Sequence, residues 1–187
     1  DSIHSGESKW SVQEGDEHPS LGQEPGGKFL YHKVKHILFT SADWDHKNIY
    51  PTEESYYQVY RELFDILPKE GKITASLDGI RVLDVLETSK LNDVVLYTTS
   101  NFNEIGYSPS VDQVEERLAK KVEEIKAKFP KVFAKLKKIY FLATVDYKWK
   151  PNSTRFNVRI FDIETSESEN LGHFETSLIG AIGVENS

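Results

Sequence analysis

The chain of 187 residues is 38% hydrophobic and 12% aromatic, and it carries a formal charge of −7 at pH 7. This length and apolar content are sufficient for one folded domain with a hydrophobic core. The absence of cysteine excludes disulfide frameworks, thiol nucleophiles and cysteine metal sites. The apolar runs are far shorter than the roughly 18 residues that a membrane-spanning helix requires, so the sequence predicts a soluble domain without a transmembrane segment.

Residues 1–27 are predicted to form an acidic flexible tail. They contain six acids and one lysine, a charge of −5, and they show no apolar periodicity. The rest of the chain is therefore almost neutral, which argues against a general nucleic-acid binder. Methionine is absent even at position 1. We therefore expect the chain to start after a removed segment, as in a secreted or organellar protein, or to be a piece of a larger one, but the sequence does not fix the compartment.

In the first half of the chain, alternating apolar residues predict a strand over residues 29–40. A helix starting near Thr52 follows, because capping and acidic residues precede a run with helical spacing. Three short strands come next, at about 72–77, 80–87 and 93–99. Asp78-Gly79 lies between the first two of them, and this dipeptide between apolar runs is typical of a hairpin.

In the second half, apolar residues from Val111 to Leu136 recur in steps of three and four, which predicts a helix with one continuous apolar stripe. Pro130 has no amide donor, so it should break this helix near Phe129 into a long and a short segment. The last predicted strands lie near 139–149, 154–164 and 173–184.

Two pairs of similar strings suggest an internal duplication. ITASLD at 73–78 resembles FLATVD at 141–146, and RVLDVLETS at 81–89 resembles RIFDIETS at 159–166. Short strands share composition for physical reasons, so the similarity also fits chance. The fold prediction is a single α+β domain over 28–187, with a mostly antiparallel sheet, two helical segments packed on it and, if the repeat is genuine, a duplicated αβββ unit.

A candidate metal site follows the first predicted strand, where the chain reads Asp43-Trp44-Asp45-His46. Loops after strands commonly hold ligands in α/β sheets, and two carboxylates with an imidazole can bind a divalent metal. The sequence therefore predicts Asp43, Asp45 and His46 as metal ligands. The alternative is a structural loop, in which the acids cap backbone amides and the tryptophan covers the core.

A second metal hypothesis uses histidines of the first predicted strand. His32 and His36 are four residues apart, hence on the same face of a strand, and His46 could join them in a zinc site. No P-loop, dinucleotide fingerprint, nucleophile elbow or HExxH motif occurs in the chain. The sequence therefore identifies no catalytic residue, and a divalent metal is the one cofactor that it indicates.

A row of lysines marks the second helical stretch. Lys128, Lys131, Lys135 and Lys138 fall on one helical stripe, which could bind an anion, an acidic protein surface or the acidic tail 1–27 of the same chain. Most such stripes are simply solvated faces. Because no exposed aromatic residues alternate with these lysines, nucleic acid is the least favoured partner.

Asn152-Ser153-Thr154 matches the acceptor motif for N-glycosylation and lies in a predicted hairpin loop. A three-residue match is frequent by chance. Asn152 is the predicted glycosylation site, and the motif gives mild support to a secretory route.

The function that fits these patterns is a non-catalytic binding or assembly protein. It would present an α+β surface or cleft to a protein partner or a small apolar ligand, for which a sheet and a long helix can form a cup. The alternative is a metal-dependent enzyme that uses the loop 43–46. The two differ in metal dependence, since only the second requires a bound ion.

Overall fold

The computed structural model describes residues 2–3, 9, 11–19, 26–99, 111–150 and 153–177. Within these residues the helices are α1 (Glu53–Asp65), α2 (Val82–Thr88), α3 (Val111–Lys128) and α4 (Pro130–Lys135), with a 3-10 helix at Lys28–Tyr31. The strands are β1 (Ser2–Ile3), β2 (Val12–Gln13), β3 (His36–Phe39), β4 (Lys72–Ser76), β5 (Val94–Thr99), β6 (Leu136–Lys150), β7 (Ser153–Asp162) and β8 (Ser168–Thr176).

Strands β3 to β8 form one six-stranded sheet in chain order, and β1 pairs separately with β2. Neighbours from β3 to β6 are parallel, whereas β6, β7 and β8 are antiparallel. The α+β prediction is confirmed at this level, but the prediction of a mostly antiparallel sheet is wrong. Near-continuous apolar strands separated by helices are what a parallel sheet requires, and β5, with the sequence VVLYTT, is of this kind.

The predicted strand at 80–87 is wrong, because this stretch contains helix α2. Val82, Val85 and Leu86 are fully buried at helical spacing. Asp78-Gly79 is consequently a strand-to-helix turn instead of a hairpin. A Cβ on Gly79 would lie 2.1 Å from the carbonyl oxygen of Thr40, so this close backbone approach requires glycine.

The predicted duplication of an αβββ unit is also wrong. ITASLD and FLATVD both contribute to strands of the sheet, β4 and β6. RVLDVLETS, in contrast, forms α2, whereas RIFDIETS forms the end of β7 and the turn after it. The similar strings therefore adopt different structures, and four α-helices in the described residues replace the two predicted helical segments.

Two helix boundaries follow the sequence signals. Thr52 caps α1 through a reciprocal capping box with Ser55. Pro130 separates α3 from α4 and occupies the first turn of α4, where its missing amide is tolerated.

The carboxylate of Glu87 accepts hydrogen bonds from the backbone amides of Lys131 and Val132 at 3.0–3.1 Å, so α2 caps the start of α4.

The main core lies between the four helices and one face of the sheet. The register places Ile37, Ile73 and Val94 side by side on this face, where all three are buried. Helix residues in the same core include Tyr60, Phe64, Val85, Leu86, Leu118, Ile125 and Val132. This arrangement is the helix-on-sheet layering expected for parallel strands joined by helices.

The first predicted strand is shorter than expected, since only His36–Phe39 pair with β4 and Phe29 belongs to the 3-10 helix. Leu38 is 66% exposed, so this edge strand is covered on one side only. On the same side of the sheet as Leu38, Phe156 and Val158 of β7 form a second, small cluster. None of the helices in the described part of the chain is long and apolar enough to cross a membrane.

Candidate metal centre

The N-terminal segment 16–18 lies against the chain just before β3. The amide of Lys28 donates to the carbonyl of His18 at 3.0 Å, and the amide of Phe29 donates to that of Asp16 at 3.2 Å. The hydroxyl of Tyr50 donates to the carbonyl oxygen of Glu17. These bonds hold the backbone of the segment next to residues 28–29 and Tyr50.

The second part of the site is the loop between β3 and α1. The carbonyl of His46 accepts hydrogen bonds from the amides of Ile49 at 2.8 Å and Tyr50 at 2.9 Å, which closes a tight turn. His46 has a left-handed backbone with φ of 53°. Such a backbone is uncommon for residues other than glycine and occurs preferentially at functional sites. The turn therefore sets the backbone position of His46 in the middle of the loop.

Three potential metal ligands meet where the two parts touch. Oε1 of Glu17 lies 2.9 Å from Nε2 of His46. The imidazole rings of His18 and His46 have centroids 4.0 Å apart at an angle of 61°. Glu17, His18 and His46 each have one donor atom within 4.8 Å of the donor atoms of the other two. In the described part of the chain, these three residues are the group that could hold a metal ion. We call these three residues the Glu17 centre.

Asp16 supports the centre from outside. Its Oδ1 lies 3.1 Å from Nδ1 of His18, and its Oδ2 accepts a hydrogen bond from Nζ of Lys28 at 2.7 Å. The hydrogen bond from Lys28 is the main reason why the pKa of Asp16 is lowered to about 2. A carboxylate at one imidazole nitrogen orients the ring, and this is the usual outer partner of a metal-binding histidine.

A layer of tyrosines lies beneath the loop. The rings of Tyr50 and Tyr56 are 5.4 Å apart, those of Tyr56 and Tyr60 are 5.2 Å apart, and the hydroxyl of Tyr60 donates to that of Tyr56 at 2.9 Å. Burial is the main cause that raises the pKa of Tyr50 to about 12, and it also raises the pKa of Tyr60. The tyrosines are therefore neutral, and they pack against one another in the hydrophobic core.

The structure brings together one of the three predicted metal ligands with two residues that were not predicted. His46 belongs to the Glu17 centre. Asp45 is beside it, with Oδ2 at 3.9 Å from Nε2 of His46 and its side chain 78% exposed. Asp43 does not belong to the centre, and its amide donates to Ser41 of its own loop at 3.2 Å.

The histidines of the second metal hypothesis lie elsewhere among the described residues. His32 ends the 3-10 helix and His36 begins β3, and neither belongs to the Glu17 centre. Glu17 and His18 were missed because their surroundings have the composition of a flexible tail. The available signal was the run Asp16-Glu17-His18, whose residue types match those of the loop 43–46.

The predicted lysine stripe does not lie on a single helix. Lys128 ends α3, Lys131 and Lys135 belong to α4, and Lys138 belongs to β6, where its Nζ is 3.6 Å from Asp162. The prediction of one helical stripe is therefore wrong because the helix ends at Lys135. Binding of an anion or an acidic partner by these lysines stays a prediction.

The acidic tail predicted over 1–27 has part of its charge paired near the Glu17 centre. Asp16 pairs with Lys28, and Glu17 lies 2.9 Å from His46. Asp1, Glu7 and Glu24 lie outside the described residues, as does Asn152, the predicted glycosylation site. The division into a tail and one domain stays a prediction.

Comparison of the chain with protein-family models, with curated proteins and with solved structures found no significant match.

Proposed function

We propose that the protein binds a divalent transition-metal ion, with zinc as the best match, through Glu17, His18 and His46. The observation that carries the proposal is the convergence of three donor atoms within 4.8 Å from two separate parts of the chain. The ion would join the N-terminal segment to the loop before α1. This differs from the function expected from the sequence, which is the binding of a protein partner or a small apolar ligand and which stays a prediction.

The donor set selects the class of metal. Two imidazole nitrogens and one carboxylate oxygen suit zinc and other transition metals, whereas calcium and magnesium take mainly oxygen ligands. Zinc bonds of about 2.0–2.1 Å place tetrahedral ligand atoms roughly 3.3 Å apart. The contact of 2.9 Å between Glu17 and His46 is close to this separation. The donor atom of His18 lies within 4.8 Å of both and would move to the ion when the metal binds.

The competing explanation is a simple ion pair between Glu17 and His46. Pairs of this kind at a partly exposed surface stabilise a protein by about 0–1 kcal/mol. An ion pair, however, uses two groups and accounts for neither the second imidazole nor the carboxylate behind it. A metal centre accounts for all four residues, including the bond between Asp16 and His18.

The test is zinc binding by isothermal titration calorimetry on the full chain freed of metal. We expect one equivalent of zinc, and we expect His46→Asn to abolish its binding at that site. Asparagine is the matched replacement because it tolerates a left-handed backbone and removes the imidazole. His173→Asn in β8 is the control, since His173 is exposed and lies in the strand at the opposite edge of the sheet from β3. Equal binding by both variants, or no binding by the unaltered protein, would contradict the proposal.

A further inference from the structure

We propose that the metal ion in the Glu17 centre keeps one coordination position open to exchangeable ligands, and that this position takes small anionic oxygen donors of the carboxylate or hydroxamate type. The inference rests on the proposed function. It adds that the bound ion can take a ligand from solution, whereas a structural zinc site has four protein ligands and no position left for one.

The number of ligands is the first argument. In the described part of the chain three side chains offer donor atoms within 4.8 Å of one another. Three protein ligands with a solvent molecule in the fourth position are the pattern of catalytic zinc sites. The Glu17 centre therefore has the ligand count of an open site.

The neighbouring polar groups are engaged elsewhere, so they do not supply the fourth ligand. Asp16 accepts from Lys28 and from the backbone of His18. The hydroxyl of Tyr50 donates to the carbonyl of Glu17. Among the residues that the structure describes, the remaining candidate is Asp45, whose Oδ1 accepts from the amide of His46 at 2.6 Å and whose donor atoms do not join the group of three.

Exposure shows where the open position faces. Glu17 is the least exposed ligand at 19%, His46 is 29% exposed and His18 is 42% exposed. Tyr50, which bonds to the carbonyl of Glu17, is buried, whereas His18 and Asp45 are exposed, so the side of His18 and Asp45 faces solvent. A small ligand can reach the ion from this side without displacing a protein group.

Charge selects the kind of ligand. A divalent ion with one carboxylate ligand, Glu17, has a charge of +1 within its set of protein ligands. Outside that set the charges of Asp16 and Lys28 cancel within their own pair, and the carboxylate of Asp45 lies 3.9 Å from Nε2 of His46. A singly charged oxygen donor bound to the ion would neutralise the charge of the ion and its ligands. Carboxylates and hydroxamates are hard oxygen ligands of this charge, and they replace bound water without requiring a further protein group.

The experiment uses the full chain loaded with cobalt(II) in place of zinc, because the visible spectrum of cobalt reports its coordination. We expect the cobalt spectrum to change and saturate when acetohydroxamate is added. We also expect Asp45→Asn to lower cobalt affinity by less than about tenfold, the smallest effect typical of an outer-shell partner. This variant keeps an oxygen acceptor for the amide of His46, so the turn is preserved.

Three outcomes would overturn the inference, and they are distinguishable. If no cobalt spectrum develops, the proposed metal binding fails, and the open position fails with it. If cobalt binds but acetohydroxamate leaves its spectrum unchanged, metal binding stands and the open position is wrong. If cobalt binds and Asp45→Asn lowers its affinity by more than about tenfold, Asp45 closes the site as a fourth ligand.

Discussion

Glu17 and Glu87 each join distant parts of the chain, but Glu17 faces an imidazole and Glu87 faces backbone amides. This difference distinguishes a candidate metal ligand from a structural contact. Glu87 of α2 faces two backbone amides at the start of α4, both of which are hydrogen-bond donors. Glu17 faces the imidazole of His46, with that of His18 beside it. A neutral imidazole can offer a nitrogen lone pair to a metal, whereas a backbone amide cannot. Of these two glutamates, only Glu17 therefore faces a group with which it can share a metal ion.

The largest expected effect is a difference in zinc affinity between variants of Glu17 and Glu87. Glu17→Gln should lower the affinity for zinc by more than about 100-fold, because loss of an outer-shell partner alone costs about 10–100-fold. Glu87→Gln should leave it unchanged, since the carboxylate of Glu87 accepts from backbone amides of α4, which offer no lone pair to a metal. Calorimetric titration of both variants measures the difference. Similar affinities for the two would remove the distinction on which the metal centre rests.

Loss of the Asp16 carboxylate, which lies beside His18, should have an intermediate effect on zinc affinity. Asp16→Asn removes the charge beside Nδ1 of His18 while keeping the size of the side chain. We expect zinc affinity to fall by about tenfold, at the lower end of the range for outer-shell partners. A competition titration with a zinc indicator measures this change. Unaltered affinity would mean that Asp16 only anchors Lys28.

Loss of the Glu87 carboxylate should lower the free energy of unfolding and leave zinc affinity unchanged. Glu87→Ala leaves the amides of Lys131 and Val132 without this acceptor at the start of α4. By analogy with other helix caps, we expect a loss of about 1 kcal/mol in the free energy of unfolding, with or without zinc. Urea denaturation in the presence and absence of zinc measures it. A loss that appears only with zinc would show that the two regions are coupled.

The smallest expected effect concerns local motion. Zinc should slow amide hydrogen exchange at Lys28 and Phe29, because their amides bond to the segment that carries two of the ligands. The amides of Lys131 and Val132 provide the internal comparison and should exchange at the same rate with and without zinc. Exchange mass spectrometry at peptide resolution is sufficient. Equal slowing of both regions would indicate general stabilisation and not a local link.

The sequence predicts local features of the fold better than its topology. The cap at Thr52 and the break at Pro130 depend on neighbouring residues, so they are readable from the chain alone. Helix α2 has only seven residues, and the apolar pattern of Val82, Val85 and Leu86 is too short to separate a buried helix from a strand. With α2 taken for a strand, Asp78-Gly79 is expected to form a hairpin between β4 and the α2 stretch, and an antiparallel sheet follows from that prediction.

The candidate site shows the same limit. His46 could be proposed from its own loop, because a histidine next to an aspartate after a strand is a local signal. Its pairing with Glu17 and His18 could not, because it depends on the backbone bonds that Lys28 and Phe29 make to the N-terminal segment. Such bonds have no side-chain signature in the sequence. The composition of residues 1–27 indicates disorder instead.

The central claim is that an ion is bound by the imidazoles of His18 and His46, and nitrogen NMR of the histidine side chains tests it most directly. The chain has six histidines, so the other four are internal controls. We predict that one equivalent of zinc shifts a ring nitrogen of His18 and one of His46 and leaves the other four unchanged. Shifts confined to other histidines, or no shifts at all, would contradict the account.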